Sequence, residues 1–214
     1  MAKRYPNTLT TNSTKKRPKA HSSRSPRTAM HDQISSILGT SMFAGGRRIY
    51  LFGEITDEAS YRFLIALHAL DTSEGDITIY LSSGGGATDA GMAIYDAICF
   101  AQNTIKIIAI GRVMSIAAMI LQAGDERYMM PECRYMVHNG EIDFSGGVDG
   151  DKIVQIAKEQ SFMNNRYAEI LAERSGQTLQ KMVAAVAKET YYSATQCVEL
   201  GFADGVLTTG NRND

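Results

Sequence analysis

From Arg48 onward the chain alternates short apolar runs with amphipathic stripes. Ile49-Tyr50-Leu51-Phe52, stopped by Gly53, predicts a buried strand. Asp57 is placed to cap a helix running to about Leu70, with Phe63, Leu64, Leu67 and Leu70 on one stripe. Ile77 to Leu81 is rich in β-branched residues and predicts a second strand, followed by the loop Ser82-Ser83-Gly84-Gly85-Gly86. A second helix is expected over 88–102 and a third strand over Ile105–Ile110. Ser115 to Ala123 reads as an apolar helix ended by Gly124, followed by strands near 127–130 and 134–138. After a glycine-rich insert at 140–150, helices are expected at 151–174 and 178–188, and a short one from Ala194 to Gly201. Strands alternating with helices indicate an α/β fold with a largely parallel sheet. In such sheets working residues gather beyond the strands' C-terminal ends, here the loops 82–87, 111–115 and 138–140.

The first 46 residues break this pattern. They carry eight basic side chains (Lys3, Arg4, Lys15, Lys16, Arg17, Lys19, Arg24, Arg27) against the single acid Asp32. Residues 1–31 have few large apolar groups and read as a disordered, solvated tail or propeptide, with a weak helix over 32–46. The folded domain is therefore expected over 47–214. The basic run Lys15-Lys16-Arg17-Pro18-Lys19 is a solvated segment on this reading, although a short nucleic-acid-binding or localising role fits the same composition.

Net charge is −1 over 214 residues, so the whole chain has no strong electrostatic pull toward nucleic acid or membrane. No apolar run reaches the roughly 18 residues a membrane span needs, and no secretory signal is evident, so a cytoplasmic location is expected. Cys99, Cys133 and Cys197 are far apart, form no Cys-x-x-Cys pair and read as small buried thiols. No metal-ligand cluster stands out, and no cofactor is expected.

Four features could carry chemistry. The Ser83-Gly84-Gly85-Gly86 loop lets backbone approach a ligand and turn its N–H groups toward an anion, yet no Gly-Lys-Ser/Thr follows, so it is not a nucleotide-phosphate loop. Ser115 opens an apolar helix. Such a serine is ordinarily a helix N-cap, but the same position would let the Ile116 N–H help to stabilise an oxyanion formed at its hydroxyl. His138 ends the apolar strand Tyr135-Met136-Val137 beside a glycine, where a general base belongs. His21 and His31 lie in the tail, and His68 sits on the first helix as a structural or surface residue. An acid to orient His138 could be Glu141, Asp143 or Glu189, and spacing does not choose among them.

Taken together and in order, these pieces resemble the Clp protease proteolytic-subunit (ClpP) family. Arg48-Ile-Tyr-Leu-Phe-Gly-Glu-Ile resembles the family's opening strand, and Tyr80-Leu-Ser-Ser-Gly-Gly-Gly its Asn-Ser-Pro-Gly-Gly loop. Ala90-Gly-Met-Ala-Ile-Tyr-Asp resembles the helix that follows, Gly111 to Ala117 the nucleophile segment, and Arg134-Tyr-Met-Val-His the histidine segment. Ala168 to Gln177 resembles the handle helix, and Tyr192-Ser-Ala with Glu199-Leu-Gly-Phe-Ala-Asp the closing stretch.

The resemblance implies the ClpP/crotonase-like fold of repeated β-β-α units with a long handle helix. It implies an ATP-dependent, Clp-type serine endopeptidase acting on unfolded proteins or short peptides. It also implies a homo-oligomer of stacked seven-membered rings enclosing the sites, and an AAA+ unfoldase partner. Ser115 falls on the nucleophile, His138 on the base and Glu189 on the acid, where the family has aspartate; the N–H groups of Gly86 and Ile116 fall on the oxyanion hole. Other departures are Thr190 for an arginine of the ring contact, Gly84 for proline, Val113 and Met114 for small residues, and Asn139-Gly140 for Gln-Pro. These departures also allow a catalytically inactive or specialised subunit, including a phage-type capsid-maturation protease. A crotonase-type acyl-CoA enzyme would share the oxyanion hole but has no need for a serine and a histidine at these places.

Overall fold

The computed structural model describes residues 46–141 and 149–208. The expected tail with its weak helix (apart from Gly46), most of the glycine-rich insert, and Asp143 lie outside the described residues.

Seven strands form one mixed sheet: β1 (Arg48–Phe52), β2 (Ile77–Ser83), β3 (Ile105–Met114), β4 (Glu126–Met129), β5 (Arg134–Val137), β6 (Thr190–Ser193) and β7 (Gly205–Val206). The helices are α1 (Asp57–Asp71), α2 (Thr88–Cys99), α3 (Ile116–Gln122), α4 (Gly150–Ser175), α5 (Leu179–Val186) and α6 (Ala194–Glu199). The strand order is β1-β2-β3-β4-β7, all parallel, with β5 leaving this path by pairing with β3. The expected α/β class, largely parallel sheet and long late helix are all present.

Strand β3 is longer than its apolar run suggests. Residues Lys106–Ala109 pair with β4, and Arg112–Met114 pair with β5. Gly111 (φ +65) lies between the two sets of neighbours, where a residue with a side chain would be strained. The loop expected over 111–115 is therefore mostly strand, because its backbone is claimed by β5, a partner distant in sequence. β6 also escaped the sequence pattern. It is four residues long and forms by antiparallel pairing with β5, Tyr135 opposite Tyr192 and Val137 opposite Thr190.

Local caps adjust two other expectations. Thr56, not Asp57, caps α1: its Oγ1 accepts from the Ala59 N–H at 3.1 Å, and Asp57 falls in the first turn. Helix α2 stops at Cys99 because the Asp71 carboxylate accepts the N–H groups of Gln102 and Asn103 at 2.9–3.0 Å, pulling the chain out of the helix. Helix α3, apolar at every position but Gln122, is buried on all its faces. Gly91 admits it: a Cβ there would lie 2.2 Å from Ile116 Cγ1.

One polar centre closes the core. Arg127, 8% exposed, donates to Asp204, to Gln122 Oε1 at 2.7 Å, and to the carbonyls of Arg174 and Gly201. Gln122 donates onward to Tyr135 Oη and the Phe202 carbonyl. Apart from the exposed Asp204, every group here is buried or half-buried, so losing the guanidinium leaves several acceptors unpaired. Cys133 and Cys197 are buried, Cys99 half-buried, and all are free thiols, as the sequence suggested. Among the described residues no helix is long and apolar enough to cross a membrane, and no group of His, Cys, Asp or Glu could hold a metal ion.

Arg127→Met keeps the apolar stem but removes the donors. It is expected to lower stability by about 2–3 kcal/mol, read as a lowered urea midpoint.

Candidate active site

The site is built where β3 and β5 end together. Met114 pairs with Met136, so the next residues, Ser115 on one strand and Val137-His138 on the other, emerge at the same edge of the sheet. Ser115 occupies the N-cap position of α3 with φ +56 and ψ −130. A residue with a side chain held there costs on the order of 1–3 kcal/mol, and such strain persists only where the surroundings impose it. Three hydrogen bonds impose it. The Ser115 N–H donates to the Met136 carbonyl at 2.9 Å, and the Ser115 carbonyl accepts from the Ala118 N–H and from the Tyr167 hydroxyl, each at 2.9 Å.

The ordinary role of an N-cap serine is not the one its side chain plays. Ser115 Oγ makes no capping bond. It lies 2.8 Å from His138 Nε2. Both side chains are half-buried, open enough for a reactant and enclosed enough to limit water. The loop after His138 is tied down: Asn139 N–H donates to the Val186 carbonyl at 2.9 Å, and Gly140 N–H to Asn164 Oδ1 at 3.0 Å. A proline at position 140 would have no N–H to make the second bond, which accounts for glycine here.

The glycine loop packs directly on the Ser115 turn. A Cβ on Gly85 would meet Ser115 Cβ at 2.6 Å, and one on Gly86 would meet the Ile55 carbonyl oxygen at 2.2 Å. Both have positive φ, +104 and +151. Ile55 forms an isolated parallel bridge to this loop, donating to the Gly85 carbonyl and accepting from the Ala87 N–H. Ser83 Oγ accepts the Gly85 N–H at 3.0 Å. Because Ile55 uses the groups on either side of Gly86, the Gly86 N–H faces away from it. Gly84 is covered by the Arg112 guanidinium, whose Cζ would be 3.6 Å from a Cβ there.

Glu189 directly precedes Thr190, the partner of Val137, so it and His138 leave the paired ends of β5 and β6 at the same place. Its backbone is left-handed, φ +52. Its carboxylate is exposed and accepts the Tyr191 hydroxyl at 2.6 Å, a bond that raises the Tyr191 pKa. Among the described residues no hydrogen bond joins Glu189 to His138. Glu141 is exposed, and His68 lies exposed in the last turn of α1.

Sequence patterns did not single out the contribution of α4. Gln160, Asn164 and Tyr167 reach the site from one face of this helix, and Met92, Met119 and Met163 complete a small, mostly apolar cavity beside Ser115 and His138. Three unbranched thioethers make a lining that adapts to varied apolar groups. The signal was present as the spacing 160, 164, 167, a single stripe on a helix otherwise read only as long.

Comparison with known proteins agrees with this architecture. The Clp protease family matches residues 31–210, beginning upstream of the first strand. The chain is 31% identical over 178 residues to the ATP-dependent Clp protease proteolytic subunit 2 of Thermobifida fusca (strain YX), covering 78% of this chain and 86% of that protein. It is 32% identical over 167 residues to the protein of the same name from Rhodococcus jostii (strain RHA1), covering 76% and 84%. The match spans the sheet, the turn at Ser115, the strand before His138 and the long helix alike, and the chain belongs to the Clp protease family.

Proposed function

We propose that this chain is a cytoplasmic serine endopeptidase that hydrolyses peptide bonds of unfolded proteins or short peptides. The observation that carries the reading is the 2.8 Å contact between Ser115 Oγ and His138 Nε2 on a strained strand-to-helix turn. A buried hydroxyl is a poor nucleophile until a base takes its proton, and this geometry supplies the base. Ser115 attacks the carbonyl while His138 accepts the proton. His138 then returns it to the leaving amine, and water repeats the sequence on the ester. The N–H groups of Ile116, next to the nucleophile, and of Gly86, turned away from Ile55, serve the tetrahedral oxyanion. The methionine-lined cavity takes an apolar substrate side chain.

Glu189 is the acid of this mechanism. It leaves β6 beside the point where His138 leaves β5, and in this reading its exposed side chain turns from Tyr191 toward Nδ1. The observed Glu189–Tyr191 bond also favours a second reading, a specialised subunit whose histidine is not oriented in the isolated chain. Assembly is supported by apolar groups left exposed on the long helix and its neighbour: Ile153, Val154, Phe162, Leu179 and Val183. Exposed apolar groups of this number suit burial against further copies, consistent with stacked rings fed by an ATP-dependent unfoldase.

Fluorophosphonate treatment is expected to add one adduct to the parent and none to Ser115→Ala, read by intact mass. Peptide cleavage by Ser115→Ala is expected to fall by about 10⁴-fold or more. An unlabelled parent would instead support the specialised-subunit reading. Glu189→Ala is expected to lower kcat by about 10²–10⁴-fold with KM little changed; parent-like kcat would remove Glu189 from the mechanism. Gly85→Ala pushes directly on Ser115 Cβ, and a displacement on that scale is expected to slow labelling of Ser115 about a hundredfold.

A further inference from the structure

We propose that Tyr167 is a positioning residue that aims the oxyanion donor by holding the carbonyl of the nucleophile; this rests on the reading of Ser115 above. The Ser115 carbonyl and the Ile116 N–H belong to one peptide unit. That unit is planar and trans, so the two groups point in opposite directions and turn together. Whatever fixes the carbonyl therefore fixes the direction of the N–H. The carbonyl has two bonds, each 2.9 Å: one from the Ala118 N–H, inherent in the first turn of the helix, and one from the Tyr167 hydroxyl. The second is supplied by a side chain 52 residues away in sequence.

Several features suit Tyr167 to this task. It is 8% exposed, so its hydroxyl does not exchange freely with solvent partners. Burial also pushes the phenol well above its ordinary range, so the group remains a donor at every working pH. Its helix holds the base loop as well: one turn earlier, Asn164 Oδ1 accepts the Gly140 N–H at 3.0 Å and is itself fixed by Gln160 Nε2 at 2.9 Å. One face of α4 thus grips both the nucleophile turn and the loop that follows His138. The Ser115 backbone conformation is one that few residues with a side chain adopt, and relaxing it rotates the same peptide unit.

Tyr167→Phe in the full chain separates hydrogen bond from packing, since the ring is retained. The expected result is a kcat for a short fluorogenic peptide lower by about 10–100-fold with KM within about twofold of the parent. Fluorophosphonate labelling of Ser115 should slow in parallel, and a crystal structure of the variant should show the Ser115–Ile116 peptide rotated. Parent-like kcat and labelling would overturn the proposal. So would a raised KM at unchanged kcat, which would make Tyr167 only part of the cavity wall. If the parent itself neither cleaves nor labels, the peptidase reading fails. The paired crystal structures then still decide: a rotated peptide in Tyr167→Phe sustains the positioning role, and an unmoved one overturns it.

Discussion

Strand β3 changes partners partway along its length, and the site depends on that change. Its first half completes the parallel sheet with β2 and β4, and its last three residues run beside β5. Without the second pairing, Ser115 and His138 would leave the sheet at separate places. With it, their separation of 23 residues in sequence becomes a hydrogen bond. The antiparallel partner of β5 then brings Glu189 to the same end. A single strand therefore transmits the regularity of the sheet to all three side chains.

The loop over this edge works by exclusion. Gly85 and Gly86 lie so close to Ser115 and Ile55 that side chains there would overlap neighbouring atoms. The Ile55 bridge uses the loop's inward-facing groups and leaves Gly86 N–H turned outward. Packing and hydrogen bonding thus act on the same few atoms. The cavity beside them is mostly apolar and adaptable rather than rigidly shaped, because three methionines line it.

The parts of this protein that were legible in the sequence are those governed by local pattern. Ile49–Phe52, Ile77–Leu81 and Ile105–Ile110 announce buried strands by composition, and the helix of Ile116–Gln122 by being apolar up to its last residue. Ser115 stood out by opening that helix, and His138 by ending an apolar strand next to a glycine loop. What pattern could not supply was set by distant partners. Arg112–Met114 became strand through β5, Thr190–Ser193 through the other edge of β5, and Tyr167 and Asn164 took on roles only when α4 folded over the loops they hold. The Glu189 side chain was beyond the sequence for a similar reason, since its nearest donor, Tyr191, becomes a neighbour through strand geometry. The family resemblance added what neither periodicity nor spacing provides, an assignment of one acid among three.

The polar centre around Arg127 has a consequence for how the chain acquires its structure. Gln122 and Arg127 are set into the core, yet their partners are Arg174, Gly201, Phe202 and Asp204, up to 80 residues later. Until those residues are in place, closing the core around α3 and β4 would leave the cation and the amide with only each other and Tyr135, several bonds short. Early compaction of the first two thirds of the domain is thus penalised, which favours one cooperative step that waits for the closing segment.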